Sequence, residues 1–334
     1  MRDGQQSVVV VLATGGTIAG VQVDPTTANY TAGSFSGDQL IATVPQLARL
    51  AELRVEQIDN IGSQNIKHET WQVLATRINA LFRDPAVNGV VVTHGTDTLE
   101  ETAYFLSLVV RHDKPLVLVG AMRAATALSS DGAANLYNAV ALAANPTAAG
   151  RGPLVVMNED IHYAREVQKT AADGMNAFSS PNRGRAGMIG NGRAVFFSRQ
   201  ETCHTTRSKL TLEHLDVGQW PRVDILYAYA SMEGELVDYV ASRAKGIVLA
   251  GVGNGNASVT TINALTRAAA RGVAVVRASR TGSGLVSRNV EVDDSANGFT
   301  VAGDLSPQKA RVLLMLALAC GHQRATLQAC FDHY

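Results

Sequence analysis

The chain has 334 residues, enough for two domains of ordinary size. Its 29 acidic and 29 basic residues cancel, which excludes the basic footprint of a nucleic-acid binder and favours a small-molecule partner. Apolar residues make up 46% of the chain but aromatic ones only 5%, so the core must come from Ala, Val and Leu.

Three cysteines, Cys203, Cys320 and Cys330, have no metal-ligand spacing and leave at least one unpaired, which argues against a disulfide scaffold. No stretch approaches the roughly 18 uninterrupted apolar residues of a transmembrane helix, so a soluble chain without a membrane partner is expected. Met1–Ser7 carries no apolar leader of signal-peptide length. A cytoplasmic location is therefore expected if the chain is complete, and a periplasmic one if a leader has been removed.

Ser7–Gly20 opens with β-branched apolar residues and stops at Thr14-Gly15-Gly16-Thr17. Gly89–Glu101 repeats the design, ending at Gly95-Thr96-Asp97. A short apolar run bounded by glycine reads as a buried parallel strand. Ligands of open α/β sheets sit beyond the strands' carboxyl ends, so Thr14, Gly15, Gly16, Thr17, Gly95, Thr96 and Asp97 are expected at one pocket. Between the two runs, Val21–Gly37 is rich in small polar residues and reads as a mobile lid that carries Tyr30. A strand and turn follow over Val55–Gln64, then a helix over Thr70–Phe82 with Trp71, Leu74, Ile78 and Leu81 on one face. Thr98-Leu99-Glu100-Glu101 has the form of a capping box, predicting a helix start directly after Asp97.

Further on, the pattern predicts a strand over Pro115–Gly120 ending at Ala121-Met122-Arg123, a helix over Asp131–Ala144 and a strand over Pro153–Asn158. His162–Thr170 clusters charges, Lys169 among them. The alternation lapses around Phe196–Pro221. The expected organisation is an N-terminal domain over 1–198, a linker over 199–222 and a C-terminal domain over 223–334. In the last, strands are expected at Val223–Tyr229, Lys245–Leu249 and Val273–Ala278, and helices near Val259–Arg271 and Gln308–Leu318. Alternating strands and helices throughout make the class α/β.

A glycine-rich turn after a first strand suggests a dinucleotide, but Thr17 stands where the second glycine of that fingerprint belongs. No acidic residue waits about 20 residues on except Asp38, close to the lid segment, and no Gly-Lys-Ser/Thr forms a phosphate loop. Two threonines at two strand ends point instead to nucleophilic chemistry, with Lys169 as a group able to draw off a proton beside Asp97. As isolated residues, the threonines read equally well as caps and the lysine as a surface residue.

Ala13–Gly20 and Thr93–Glu101 together resemble the two signature motifs of bacterial L-asparaginases, nearest to the secreted, type II kind. The likeness continues to Asn297-Gly298-Phe299 and Pro307–Arg311. It implies a larger Rossmann-like N-terminal domain and a smaller flavodoxin-like C-terminal one. It further implies hydrolysis of L-asparagine, and more weakly of L-glutamine, with no metal or organic cofactor. Thr17 would attack the side-chain amide carbon with help from Tyr30, and Thr96, Asp97 and Lys169 would form a second set for water or proton transfer. The order in which the two threonines act stays open.

By the same resemblance, Gly16, Ser63, Gln64, Gly95 and Thr96 line the substrate's carboxylate side, Asp97 takes its ammonium, and the Ala121 carbonyl meets its amide nitrogen. Asn256 and Glu291 come from a neighbouring subunit of a tetramer built from intimate dimers. Serine is frequent at the Asn256 position in dual glutaminase–asparaginases, so asparagine there favours the shorter substrate. Ala124-Ala125 departs from the Pro-Ser of many relatives, and the cysteine pair of some secreted relatives is missing. The rival readings are a dual glutaminase–asparaginase, an amino-acid-binding protein without turnover, and a transamidation subunit, which the short stretch before Ser7 disfavours.

Overall fold

The computed structural model describes residues 6–24, 29–212 and 219–334. The chain divides into two compact units, Met1–Ser208 and Lys209–Tyr334. The division falls within the 199–222 stretch, of which Glu213–Gly218 lie outside the described residues. The start of that stretch is packed on unit 1. Arg111 donates to the Thr205 and Ser208 carbonyls, and the Ser208 hydroxyl donates to Leu108 O at 2.6 Å.

Unit 1 runs β1 (Val8–Gly15), α1 (Gly37–Ala42), β2 (Glu52–Ile61), α2 (His68–Arg83), β3 (Val87–Thr93), α3 (Leu99–Val109), β4 (Leu116–Val119), α4 (Gly132–Ala143) and β5 (Pro153–Met157). Short strands follow: β6 (Asp160–Tyr163), β7 (Gln168–Lys169), β8 (Phe178–Ser179), β9 (Gly187–Gly190) and β10 (Arg193–Phe196). Eight of these strands form one sheet in the order β10-β9-β6-β5-β4-β3-β1-β2. The segment β2-β1-β3-β4-β5 is parallel throughout, and β6, β9 and β10 extend it antiparallel. β1 is buried along its whole length, as its unbroken apolar run requires of a strand covered on both faces. In α2, Trp71, Leu74, Ile78 and Leu81 are all buried.

The strand order 2-1-3-4-5 reverses direction between β1 and β3. At such a switch point, successive connections leave to opposite faces and open a crevice at the strands' carboxyl ends. Thr17 and Thr96 follow the two strands that flank it.

Two expectations change here. The capping box at Thr98 is not formed, because its hydroxyl donates to Ser63 O at 2.8 Å instead of accepting from the helix. Glu100 and Glu101 still place negative charge in the first turn of α3, where the helix dipole favours it. Phe196 belongs to β10 rather than to a connecting stretch. Of the segment Val21–Gly37, Pro25–Ala28 lie outside the described residues. Its remainder is tied back to the β1 loop by paired Val21–Thr31 hydrogen bonds and by Gly33 N to Gly16 O at 3.1 Å.

Unit 2 contains β11 (Val223–Tyr227), α5 (Glu235–Ala241), β12 (Gly246–Gly251), α6 (Val259–Ala270), β13 (Ala274–Ser279), α7 (Asp294–Asn297), β14 (Thr300–Val301), α8 (Pro307–Ala319) and α9 (Arg324–His333). Its four strands are parallel in sequential order. Leu226, Val237, Ile247, Leu265 and Ala268 share one apolar core. Cys203, Cys320 and Cys330 are not joined in disulfides. Among the described residues, no helix is long and apolar enough to cross a membrane.

Candidate active site

At the switch point lies a cavity of about 470 Å³, lined by Gly16, Thr17, Tyr30, Thr31, Ala32, Gly62, Ser63, Gln64, Gly95, Thr96 and Asp97. That volume is within the ~300–1,000 Å³ usual for small-molecule sites. Thr14 and Gly15, expected at the pocket, lie beneath it. Thr14 spends its hydroxyl on Thr93 O at 2.8 Å, stitching β1 to β3, and Gly15 packs on Ile61. The two strand-end loops touch: a Cβ on Gly16, at φ +82°, would lie 2.4 Å from the Gly95 Cα. Gly95 in turn packs on the Ser63 side chain. Only glycine at both positions lets the backbones close on one small space.

Thr17 begins a short 3₁₀ turn, Thr17–Ala19, and is 8% exposed. Its Oγ1 is 2.9 Å from the Tyr30 phenol oxygen, a contact in which either hydroxyl can donate. Across the cavity Lys169 Nζ donates to Thr96 Oγ1 at 3.0 Å and to Asp97 Oδ1 at 2.7 Å. The lysine side chain is 16% exposed while that of Asp97 is 58% exposed, so the carboxyl group meets solvent and the lysine nitrogen is sheltered behind it. Each threonine hydroxyl thus touches a side chain able to exchange a proton.

Ser63 and Gln64 sit in a 3₁₀ turn after β2, with the Ser63 hydroxyl accepting from Thr98 N at 3.3 Å. Ala121 follows β4, is fully buried and is not part of the cavity wall. Asn256 and Glu291 lie in unit 2, where Asn256 Nδ2 donates to Glu291 Oε2 at 2.6 Å. The structure therefore brings together nine predicted residues from unit 1: eight line the cavity, and Lys169 reaches its wall. Ala121 lies outside the cavity wall, and Asn256 and Glu291 belong to unit 2.

Supporting groups escaped the sequence reading. The buried Glu100 carboxylate accepts from the Lys169 backbone N–H at 2.5 Å, pinning the lysine to the start of α3. Asp131 accepts from the N–H groups of Met122 and Arg123, both at 2.9 Å, and Asn135 donates to Gly120 O, which sets the course of the chain around Ala121. Thr31 and Ala32 line the cavity from the segment read as a lid, in which only Tyr30 was singled out.

Under the β3 loop, His94 Nδ1 is 2.7 Å from Gly95 O and its Nε2 is 2.9 Å from Thr102 Oγ1, which also accepts from Trp71 Nε1 at 2.8 Å. A carbonyl can only accept, so Nδ1 carries the hydrogen and the Thr102 hydroxyl donates to Nε2. Complete burial holds the imidazole neutral, pushing its pKa down to about 4 against the backbone contact to Gly95, which acts to raise it. A histidine ending a run of buried valines was the available signal.

A second cavity, of about 390 Å³ and lined by Ser7, Pro85, Val87 and Asp113 among others, brings together no threonine or tyrosine. Among the described residues, no group of three or more His, Cys, Asp or Glu is placed to hold a metal ion.

Residues 8–202 match the family model described as asparaginase, N-terminal, and residues 222–331 match the glutaminase/asparaginase C-terminal domain. The chain is 45% identical over 327 residues to a probable periplasmic L-asparaginase of Haemophilus influenzae, covering 98% of this chain and 93% of that protein. It is 42% identical over 329 residues to a glutaminase-asparaginase of Pseudomonas fluorescens, covering 98% and 90%. The crystal structure of a probable cytoplasmic L-asparaginase from Campylobacter jejuni superposes with a TM-score of 0.94 at 44% identity, covering 98% of this chain and all of that one. With both of its units matched and nearly its whole length aligned, the chain belongs to the asparaginase family.

Proposed function

We propose that this chain hydrolyses L-asparagine to L-aspartate and ammonia through a covalent threonine ester. The observation that carries the reading is that two threonine hydroxyls face one small cavity, each hydrogen-bonded to a proton-exchanging side chain. A threonine hydroxyl is a weak nucleophile until its proton is drawn off, and these contacts provide the route.

Thr17 Oγ1 attacks the side-chain amide carbon while its proton passes toward Tyr30 Oη, 2.9 Å away. Collapse breaks the C–N bond, and ammonia leaves with the transferred proton. Water then attacks the ester; Thr96, Asp97 and Lys169 deliver it and take up its proton, which returns to the Thr17 oxygen as the ester C–O bond breaks and L-aspartate forms. Backbone N–H groups where the β3 loop enters α3 suit the developing oxyanion. Ser63, Gln64, Gly16 and Gly95 surround the α-carboxylate, Asp97 binds the α-ammonium, and the Ala121 carbonyl orients the amide nitrogen. Asn256 and Glu291 complete the site of a neighbouring subunit in a tetramer of intimate dimers.

Turnover of L-glutamine is a second activity, favoured by the likeness to a glutaminase-asparaginase. One methylene changes binding by about 1–3 kcal/mol in such a pocket, so the longer amide is the slower substrate. An amino-acid-binding role without turnover leaves Lys169, Thr17 and Thr96 without a task.

Ammonia release from both amides, with wild type and Thr17→Ala, is the test. Fast release from L-asparagine that the variant loses supports the reading. Equal rates on both amides would make the protein a dual enzyme, and no release from either would refute hydrolysis.

A further inference from the structure

Among the described residues, the largest fully buried side chain is a cation, Arg277 in the middle of β13. Its Nε and Nη2 donate to the two Asp294 carboxylate oxygens at 2.6 and 2.8 Å, and both side chains are 0% exposed. The remaining contacts reach backbone. Nη1 donates to Asn254 O at 2.9 Å and Gly255 O at 3.1 Å, and Nη2 donates to Ser287 O at 3.3 Å. One guanidinium therefore grips two separate loops. The first is the turn beyond β12 that presents Asn256; the second leads from Ser287 to Asp294 and presents Glu291.

Other bonds fasten the same two loops. Asn254 Oδ1 accepts from Ser287 N at 2.7 Å, and Asp294 Oδ2 accepts from Asn289 N at 2.8 Å. Ala257 N donates to Asn256 Oδ1 at 2.9 Å, which turns Nδ2 toward Glu291 Oε2. Asn256, half-buried, and Glu291, exposed, are the outward ends of a frame whose centre is fully buried.

A buried ion pair is a poor source of stability, because desolvating both charges cancels most of their attraction. Its effect lies in geometry, since a planar fork fixes direction as well as distance. We propose that Arg277, held by Asp294, is a positioning residue that sets the Asn256–Glu291 pair for the active site of a neighbouring subunit. This rests on the proposed contribution of Asn256 and Glu291 in trans. The consequence is that a defect at Arg277 belongs to another subunit's chemistry and leaves its own Thr17 and Thr96 intact.

Subunit mixing tests this. Arg277→Lys keeps the charge but loses the fork, and the double variant Arg277→Met/Asp294→Leu removes the pair without stranding a carboxylate. Each is made alone and co-expressed with Thr17→Ala, and tetramers carrying both tags are purified. Alone, each Arg277 variant is expected to raise KM for L-asparagine tenfold or more, with a smaller change in kcat and an unchanged oligomeric state. Mixed tetramers should regain sites with wild-type KM, formed by Thr17 of one subunit and the intact loops of the other.

Asn256→Ala, treated identically, separates this inference from its foundation. If Asn256→Ala is impaired and complemented while both Arg277 variants keep the wild-type KM, positioning by Arg277 is overturned. If Asn256→Ala keeps full activity, the contribution in trans is overturned as well. Folded Arg277 variants that are impaired but gain nothing on mixing would also overturn the proposal.

Discussion

The two threonines sit after adjacent parallel strands and face the same cavity, yet they are held in different ways. Thr17 meets a phenol that is 45% exposed and reaches it from a separate segment, through one contact of 2.9 Å. Thr96 lies in a braced frame: Lys169 touches it and Asp97, Glu100 holds the Lys169 backbone, and the Ser63 hydroxyl accepts from Thr98 N. Beneath that frame His94 anchors Gly95 O. One hydroxyl is placed by a side chain that solvent reaches, the other by the interior. One cavity thus holds one threonine hydroxyl that is adaptably placed and another that is fixed.

The comparison breaks first at the hydroxyls themselves. Thr17→Ala and Thr96→Ala are each expected to lower kcat for ammonia release on the order of 10³-fold or more, because neither can replace the other. A Thr96→Ala enzyme within tenfold of wild type would remove the second threonine from the chemistry.

The partners come next. Lys169→Met should cost about 10²–10⁴-fold in kcat, the range for a lost proton-transfer group. Tyr30→Phe should cost less, about 10–10²-fold, since solvent near an exposed phenol can relay the proton in part. Equal losses in steady-state assays would erase the distinction between the two sides.

Smaller effects concern the brace. Thr102→Val strands the Trp71 N–H and leaves His94 Nε2 without a donor, for a loss of about 1–3 kcal/mol in urea unfolding. The corresponding change on the other side, Tyr30→Phe, should leave unfolding within about 0.5 kcal/mol of wild type.

Acid gives the last comparison. His94 is held neutral with its pKa lowered to about 4, while the unfolded chain binds that proton near the ordinary value of 6.5. Its contribution to stability is complete above pH 6.5 and is lost as pH falls toward 4, by up to about 1.4 kcal/mol per pH unit. His204, lowered to about 4 chiefly by burial, acts in the same direction. In urea titrations between pH 7 and 5, His94→Gln should therefore lose less stability than wild type. An identical slope would show that His94 does not titrate on unfolding.

Sequence periodicity carried the parts of the fold that bury long apolar runs. The valines of β1 and β3 have no polar face to expose, and α2 repeats its apolar residues at helical spacing. The Gly/Thr stops at their ends sufficed to put Thr17 and Thr96 in one place. Short antiparallel strands were illegible, because four residues such as Asp160–Tyr163 are too few to show a period and take their partners from across the sheet. Thr98 misled for a related reason. Whether its hydroxyl caps α3 depends on Ser63, 35 residues earlier. Arg277 likewise looks unremarkable in a strand until Asp294 is seen beside it.

The hydrogen-bond chain under the β3 loop also has a direction. It starts at the Trp71 indole, which can give a hydrogen but cannot receive one, and runs through Thr102 and His94 to the Gly95 carbonyl. A chain that begins at such a group cannot reverse polarity, so it cannot conduct. Along this chain no proton can pass between the β3 loop and the core. This chain therefore braces the β3 loop from below without opening a proton relay under it.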